Sequence, residues 1–450
     1  MTQILSVSSA VPVQHKSTWQ KLVNFSSIVC SRESTYRTLL DITAFDIPIM
    51  FSDVFRGAKK FLESVFEASL GTIMVLLAPV ITSFVGNVVG KSILNETDKK
   101  HALKYLCFSM NTLRNIKNEK DIEKRKELVK TAVEKMKKEE VEDKEFISSL
   151  YEKSGYQKQV ESYKEKIKDI QEFVPLVDLS ESNIDNVLRL KKAAILGESL
   201  IEGGWWGGFG LLNRLFRKHI LQEDRFTGTK NYVSDAESET LGEAGELNLF
   251  QKILGGGAIF ISPILNKFML SQADTGNENS WFAKTARNQL DTTHGVYPKL
   301  GFLFTITTIP KWLSSIALSQ GNLERIERAI KLFTLLPSWW LGHRVTNGVL
   351  AKKADERFVK KYNLDPGILV EKEDLKQTFP EPAKIHHILN AVEKSNLDPV
   401  TKALAKQEVE EEHAKSLIYG FTLHSVGVWI INMAVNYTTK LRALSALGKN

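Results

Sequence analysis

Two stretches of the chain are uncharged and largely apolar over a length that could cross a membrane. Residues 68–90 read ASLGTIMVLLAPVITSFVGNVVG and residues 416–438 read SLIYGFTLHSVGVWIINMAVNYT; neither contains Asp, Glu, Lys or Arg. A helix that crosses the hydrocarbon core needs about 20 predominantly apolar residues. The Leu, Ile, Val and Phe residues of the first stretch contribute about −3 to −7 kcal/mol to the free energy of insertion, partly offset by its polar residues. Both stretches are therefore predicted to be transmembrane helices.

Weaker apolar windows lie between the two predicted spans. They cover residues 193–216, 253–270, 300–320 and 329–350. In the third window Lys311 costs about 2.5 to 3.5 kcal/mol at a helix centre, which cancels the contribution of the apolar residues. We therefore expect residues 193–350 to be a helical region rich in Gly, Trp and Pro that lies in the membrane or at its interface. Lys311 is expected either to reach towards the interface or to meet an acidic partner.

The polar parts of the chain carry helical patterns too. Apolar residues recur every three or four positions at Val160, Tyr163, Ile167 and Ile170, which is the period of an amphipathic helix. Charge is dense throughout residues 91–192, and many opposite charges lie four positions apart. This region is therefore predicted to be a charged helical domain outside the membrane, built as one long helix or as a helical hairpin.

These patterns divide the chain into segments around the two predicted spans. The segments are 1–67 (N-terminal), 68–90 (transmembrane), 91–192 (charged helical domain), 193–350 (apolar helical region), 351–415 (polar helical segment), 416–438 (transmembrane) and 439–450 (basic tail). Few strands are expected, because alternation of period two is absent. The predicted fold class is all-α: a helical integral membrane protein with an extramembrane charged helical domain.

Composition adds limits on partners. The 450 residues carry 60 basic and 53 acidic side chains, for a net charge of +7, and the mean hydropathy is −0.17. This average hides the segregation of charge along the chain, so it does not argue against membrane spans. The basic surplus fits contact with the lipid bilayer, whereas the chain lacks the compact basic runs with aromatic residues that are typical of nucleic-acid binding. Two cysteines cannot build a disulfide framework.

Glycines at a spacing of four residues indicate close helix packing. The stretch EGGWWGGFG covers residues 202–210, and the first predicted span ends in GNVVG. Small residues four apart form a flat helix face on which another helix can approach. The predicted packing positions are Gly86, Gly90, Gly203, Gly204, Gly207 and Gly208.

Ionisable residues inside apolar windows are the candidates for chemistry. Glu198 and Glu202 are four residues apart and share one helix face. An acidic pair in a membrane is expensive and marks a cation or proton site, whereas in an interfacial helix the same pair is the solvated side. Lys311 and His424 lie in other apolar windows, although a histidine there is often a packed residue. These four residues are the candidate transport or proton site.

The sequence contains little evidence of a metal site or a catalytic motif. Glu410-x-x-His413 and Asp291-x-x-His294 have the carboxylate–histidine spacing of di-iron bundles, but the second has Asp where Glu is usual and the first is equally a solvated acidic turn. No nucleophile elbow, phosphate-binding loop or zinc-protease motif occurs in the sequence. We therefore assign no catalytic residue, metal or cofactor.

The sequence favours a membrane scaffold or assembly protein without enzymatic activity. Residues 91–192 would bind a protein partner, and a second copy of the chain is a further candidate partner. A transporter or channel that uses proline-kinked helices is the alternative. A membrane enzyme and a soluble all-α protein with a large apolar core are further alternatives. Orientation in the membrane stays open because basic residues flank both ends of residues 68–90.

Overall fold

A computed structural model describes most of the chain, and its backbone is predominantly helical, as predicted. The described residues are 18–31, 39, 41–153, 155–223, 225–241, 248–275, 280–293, 295–343, 352–364 and 385–449. The prediction of an all-α fold is confirmed for these residues, where one antiparallel pair of two-residue strands accompanies the helices.

The helices and strands follow one another along the chain with a few irregular segments between them. The N-terminal half contains α1 Thr18–Ser31, a π-helical segment Asp41–Asp46, α2 Ile47–Val54, α3 Ala58–Ile93, a 3-10 turn Lys99–His101, α4 Ala102–Tyr105, α5 Met110–Asn118, α6 Ile122–Lys153, α7 Gln157–Phe173, a 3-10 turn Val174–Leu176 and α8 Glu181–His219. The C-terminal half contains α9 Asp235–Thr240, α10 Leu249–Gly257, a 3-10 turn Ala258–Phe260, α11 Ile261–Asp274, α12 Trp281–Gln289, β1 Thr292–Thr293, β2 Tyr297–Pro298, α13 Leu300–Leu303, a π-helical segment Phe304–Thr308, α14 Ile309–Ala317, α15 Gly321–His343, α16 Lys352–Tyr362, α17 Ile385–Lys394 and α18 Pro399–Ala446.

Three helical stretches in the described part of the chain are long and apolar enough to cross a membrane. They are Ala58–Ile93, Leu249–Asp274 and Pro399–Ala446. The first and last contain the predicted spans 68–90 and 416–438. The second consists of α10, the 3-10 turn Ala258–Phe260 and α11, and it contains the weaker window 253–270.

The outward faces of these helices are apolar. On α3, Leu76, Val80 and Phe84 are each 62% exposed and follow one another at four-residue intervals along one side. On α18, Leu423 is 62% exposed and Ile430 is 55% exposed. Exposed apolar stripes of this kind mark a surface that faces lipid or another protein, because soluble proteins seldom leave them in water.

Helix α8 runs antiparallel to α3 and beside most of its length. A Cβ on Gly71 would lie 3.4 Å from Trp206, and a Cβ on Gly90 would lie 3.8 Å from Leu190. Between these points Thr82 donates a hydrogen bond to Glu198. Residue numbers rise along one helix as they fall along the other, so window 193–216 lies at the same level as residues 68–90. The acidic side chains Glu198 and Glu202 of α8 are buried between the helices.

Small residues let α8 approach its neighbours, as predicted for several of the glycines. A Cβ on Gly203 would clash with Ser262, and one on Gly207 would clash with the backbone of Ala258. On α3, Gly86 and Gly90 leave room for the α4 region: a Cβ on Gly86 would lie 2.8 Å from Leu103 and Leu106, and one on Gly90 would clash with Ala102.

The remaining glycines differ from this pattern. A Cβ on Gly204 would make only an ordinary contact with Ile259 at 3.6 Å, and a Cβ on Gly208 would meet nothing within 4 Å. Among the described residues, no neighbour packs against Gly208, so the packing predicted for it has no support there. Gly210 was not among the predicted packing positions, but a Cβ there would lie 2.6 Å from the carbonyl oxygen of Ser314, so only glycine lets this backbone pack so closely.

The charged region forms a helical hairpin of α6 and α7, which resolves the two alternatives for residues 91–192. Its core is continuous with that of the apolar helices, because Met136 and Phe173 belong to the same buried cluster as Val85 of α3 and Val187 of α8. The predicted segment boundaries at 192/193 and 415/416 lie inside the continuous helices α8 and α18.

The prolines of the apolar windows occupy two kinds of position. Pro79 and Pro337 lie inside α3 and α15. Pro263 and Pro310 lie in the first turns of α11 and α14. Each of these turns directly follows irregular helical backbone, the 3-10 turn Ala258–Phe260 or the π-helical segment Phe304–Thr308.

Introduced cysteines at the two ends of α3 test whether it crosses a membrane. The native Cys107 is a poor probe, because burial raises the pKa of its thiol. In a chain with Cys30 and Cys107 replaced by serine, we expect Ala58→Cys and Thr97→Cys, both at exposed positions, to react with an impermeant maleimide from opposite sides of sealed vesicles. Each variant labelled in detergent is the control. Equal labelling of both from one side would contradict a crossing by α3.

Candidate functional site

An acidic pair lies in the interior of the bundle, on α8. The Glu198 and Glu202 side chains are 0% and 1% exposed and lie one helical turn apart. Glu198 Oε1 accepts a hydrogen bond from Thr82 Oγ1 at 2.7 Å. Glu198 Oε2 and Glu202 Oε1 are buried and have no hydrogen-bond partner. The structure therefore brings the two predicted acids together inside the bundle and excludes the interpretation that they form a solvated face.

Neutral polar side chains of α11 lie beside the stretch of α8 that carries the pair. The Asn266 side chain of α11 donates a hydrogen bond to Ser199 Oγ at 2.8 Å, and its Oδ1 is buried without a partner. Ser262 donates to the carbonyl oxygen of Thr305 at 2.6 Å. Unpaired carboxylate and amide oxygens are thus concentrated at one level of the bundle, opposite Thr82 of α3.

The charge state of this pair has an energetic consequence. Among the described residues, neither Glu198 nor Glu202 has an ion pair with a lysine, arginine or histidine. Transfer of one unpaired carboxylate from water into such a site costs several kcal/mol, and two adjacent carboxylates also repel each other. In this arrangement the pair is stable only when protons or a bound cation neutralise it. Such a pair of carboxyl groups can reversibly bind a proton or a small cation.

Lys311, the third predicted site residue, contacts aromatic rings. Its ammonium lies 4.6 Å from the ring centroid of Phe209 and 5.2 Å from that of Trp206. Within the described residues no carboxylate pairs with it. The side chain is half-buried, and it lines two neighbouring cavities together with Asp46.

The larger of these cavities has a volume of about 160 Å³. Both π-helical segments contribute to its wall, through Phe45 from the first and Thr307 from the second. Trp206 of α8 and Trp312 of α14 also line it. Irregular helical turns are uncommon and occur often at functional sites, which makes the cavity the second candidate site of the bundle.

His424, the fourth predicted site residue, is a packed residue beside this cavity. Its side chain is buried on α18, and its ring lies 4.8 Å from the ring of Phe45. Its Nε2 has no hydrogen-bond partner. The ring packing fits the structural interpretation of His424 better than a proton relay, because no described contact connects it to Glu198 or Glu202.

A buried network of ion pairs lies at the end of the bundle where α3 begins, and sequence reasoning missed it. Arg56 donates two hydrogen bonds of 2.7 Å to the carboxylate of Glu327. Arg217 of α8 pairs with Glu324 at 3.1 Å, and Arg328 pairs with Glu63 at 3.2 Å. All of these side chains are largely buried. The network joins α3, α8 and α15.

Further contacts extend this network to α18 and set its charge state. Arg56 donates to Asn436 Oδ1 at 2.8 Å, and the Asn436 amide donates to Asp53 at 3.1 Å. Burial alone would raise the pKa of Glu327, but Arg56 and Lys331 outweigh burial and hold that pKa well below its usual range. The pairs are therefore charged. Arg56 and Glu327 are 271 residues apart and Arg217 and Glu324 are 107 residues apart, so no local motif reveals these contacts.

The carboxylate–histidine spacings do not form a metal site in the described part of the chain. No group of three metal-ligating side chains occurs there. Glu410 pairs with Lys153 at 3.2 Å, and Asp291 pairs with Lys191 at 2.5 Å. His294 lies outside the described residues. The two carboxylates that a di-metal site would need are thus paired with lysines.

Comparison with known proteins gives no family. No family model matches the chain, and no curated protein or solved structure matches it significantly.

Removal of one member of the ion-pair network is expected to destabilise the fold. Arg56→Met leaves the buried Glu327 carboxylate with Lys331 alone, and loss of one partner of a buried pair typically costs about 3–5 kcal/mol. We expect a clear fall in the melting temperature in detergent. The triple variant Arg56→Met/Glu327→Leu/Lys331→Met should recover part of the loss, because Glu327 and both of its cationic partners are removed together.

Lys126→Met is the matched control. Lys126 forms a solvent-exposed pair with Glu123, so its removal should leave the melting temperature within error. An Arg56→Met variant as stable as the parent protein would show that the network contributes nothing to the fold.

Proposed function

We propose that the protein is a multi-pass integral membrane protein that transports protons or a small monovalent cation through a site formed by Glu198 and Glu202. The observation that carries the proposal is the acidic pair itself: two fully buried carboxyl groups, without a cationic partner among the described residues, level with the middle of residues 68–90. Ionisable groups at such positions in membrane proteins typically belong to ion or proton pathways.

The surrounding backbone supports a transport role over a purely structural one. The bundle contains two π-helical segments, and α10 is separated from α11 by a 3-10 turn. Irregular backbone at membrane depth is tolerated where it is buried in protein or lines a cavity, and many transporters build their sites from such interrupted helices. A scaffold needs neither an uncompensated acidic pair nor an internal cavity.

The proposed site binds charge through its free oxygens. Glu198 Oε2 and Glu202 Oε1 have no partner in the bundle, so a proton can reside on either carboxyl group. For a metal cation, the Asn266 Oδ1 atom is a further unpartnered oxygen on the adjacent helix. Neutralisation of the pair stabilises the closed bundle. Loss of the bound charge raises its energy and favours opening to water, which couples binding to a change of conformation.

A scaffold remains the second candidate function. It is favoured by the α6–α7 hairpin, whose charged side chains are exposed and could contact a protein partner. Many of those charges pair within the same helix, as Lys126 does with Glu123 and Lys135 with Glu139. The hairpin therefore offers no surface of one charge sign, and this is a weaker observation than the acidic pair.

Carbodiimide labelling and ion flux test the transport proposal together. A hydrophobic carbodiimide reacts with protonated carboxyl groups that it reaches through an apolar phase, so we expect it to modify Glu198 or Glu202 in the membrane-reconstituted protein, as located by peptide mass. Glu198→Gln/Glu202→Gln should abolish both this modification and the proton or cation flux into liposomes, because the site no longer carries a negative charge. Sodium identifies the transported ion: a sodium ion that occupies the site displaces the proton and protects the wild-type protein from modification, whereas labelling that sodium leaves unchanged indicates a proton site.

Glu145→Gln on the exposed side of α6 is the matched control and should keep both labelling and flux. A double glutamine variant that folds, as judged by its melting temperature, and retains wild-type flux would refute the proposed role of the pair.

A further inference from the structure

The cavity beside α8 has the size and lining of a binding site for a small apolar body. Its volume of about 160 Å³ is similar to that of an engineered cavity of about 150 Å³ that holds benzene. Aromatic side chains form much of its wall, through Phe45, Trp206 and Trp312, and Val75 and Thr72 of α3 complete one side. Such a mostly apolar pocket with a few polar groups is the usual form of a small-molecule site.

One end of this cavity is charged. Lys311 and Asp46 line both this cavity and a neighbouring one of about 80 Å³, so they mark the junction between the two. The neighbouring cavity is lined by side chains of the buried ion network, including Lys60, Arg328 and Lys331. A ligand with an apolar body and a charged end would place its two parts in these two environments.

The charges of the smaller cavity are already paired with one another. Lys331 pairs with Glu327 at 2.9 Å, Arg328 pairs with Glu67 at 3.3 Å, and Lys60 pairs with Glu63 at 3.3 Å. These residues therefore leave little net charge for a ligand.

Lys311 differs from the other basic residues of these walls. Its described contacts are with the rings of Trp206 and Phe209, and no carboxylate pairs with it within the described residues. Asp46 lies at the same junction but interacts with another residue, so it is not a free carboxylate. A cation–π contact is worth about 0.5 to 2 kcal/mol, which is less than the several kcal/mol that partial removal of an ammonium from water costs. The cavity thus presents a positive charge that has no counter-ion among the described residues.

We propose that this cavity binds a hydrophobic organic anion, namely a carboxylate on an apolar body, whose carboxylate pairs with the Lys311 ammonium. The apolar body lies between Trp206, Trp312 and Phe45. A neutral apolar molecule of the same size would fill the cavity but leave Lys311 without a counter-ion, so it binds more weakly. This proposal adds a second ligand to the molecule and does not depend on the acidic pair Glu198–Glu202.

Binding of octanoate and of 1-octanol to the purified full-length protein, measured by calorimetry, tests the proposal. The two probes share an apolar chain and differ in charge. We expect the wild-type protein to bind octanoate at least about tenfold more tightly than 1-octanol, because a hydrogen bond to a charged group contributes more than one to a neutral group. Lys311→Met should lower octanoate affinity to that of 1-octanol and leave 1-octanol affinity unchanged.

Two further variants locate the site. Thr72→Phe adds a ring to the wall of the cavity and should weaken both probes. Lys267→Met removes an exposed lysine on α11, which does not line the cavity, and should change neither affinity. Melting temperatures establish that each variant folds. Equal octanoate affinity in wild-type and Lys311→Met, or unchanged binding in Thr72→Phe, would overturn the proposal.

Discussion

Removal of charged side chains from water is the constraint on which the arrangement of this bundle depends. The helices α3, α8 and α15 each carry ionisable residues on faces that are buried against one another. At the end of the bundle where α3 begins, these groups neutralise each other: Arg217 pairs with Glu324, and Arg328 pairs with both Glu63 and Glu324. Complete pairing there stabilises the contact between helices and, through Arg56 and Asn436, the position of α18.

Because burial of an unpaired charge is costly, the residues whose charge is incompletely paired are candidates for a functional role. Glu198 accepts one hydrogen bond, from Thr82, and both Glu198 and Glu202 have a buried oxygen without a partner among the described residues. Lys311 rests against aromatic rings instead of a carboxylate. Both features lie on or against α8, whose glycines let α3, α11 and α14 pack closely around it. The central helix therefore combines tight packing with uncompensated charge, a combination that a structural role alone does not require.

Sequence reasoning was reliable where the signal was local. The length and apolar character of residues 68–90 and 416–438, and the periodicity around Val160, are properties of short stretches, and each of these stretches is helical in the structure. Glycine spacing located Gly203 and Gly207 because a four-residue repeat lies on one helix face. It failed for Gly208, since spacing does not reveal which face of a helix meets a neighbour.

The candidate site was only partly predictable. The spacing of Glu198 and Glu202 places them on one face, but only the position of α3 and α11 shows that this face is buried. The ion-pair network could not be predicted, because Arg56 and Glu327 are 271 residues apart in sequence. The cavity at Lys311 could not be predicted for the same reason. Its wall combines side chains between Ile42 and Leu335 in the sequence, and only the fold brings them together.

The central claim is that α8 lies in the membrane beside α3, with its acidic pair at mid-depth. Spin labels at Val80 and Leu200 test it most directly, since both side chains are exposed on apolar faces, and the antiparallel pairing of Thr82 with Glu198 puts them at the same level. In lipid vesicles, power-saturation measurements of collisions with oxygen and with a water-soluble nickel complex should give the same deep immersion for both labels. A label at Leu200 that is accessible to the nickel complex while the label at Val80 is immersed would contradict the account.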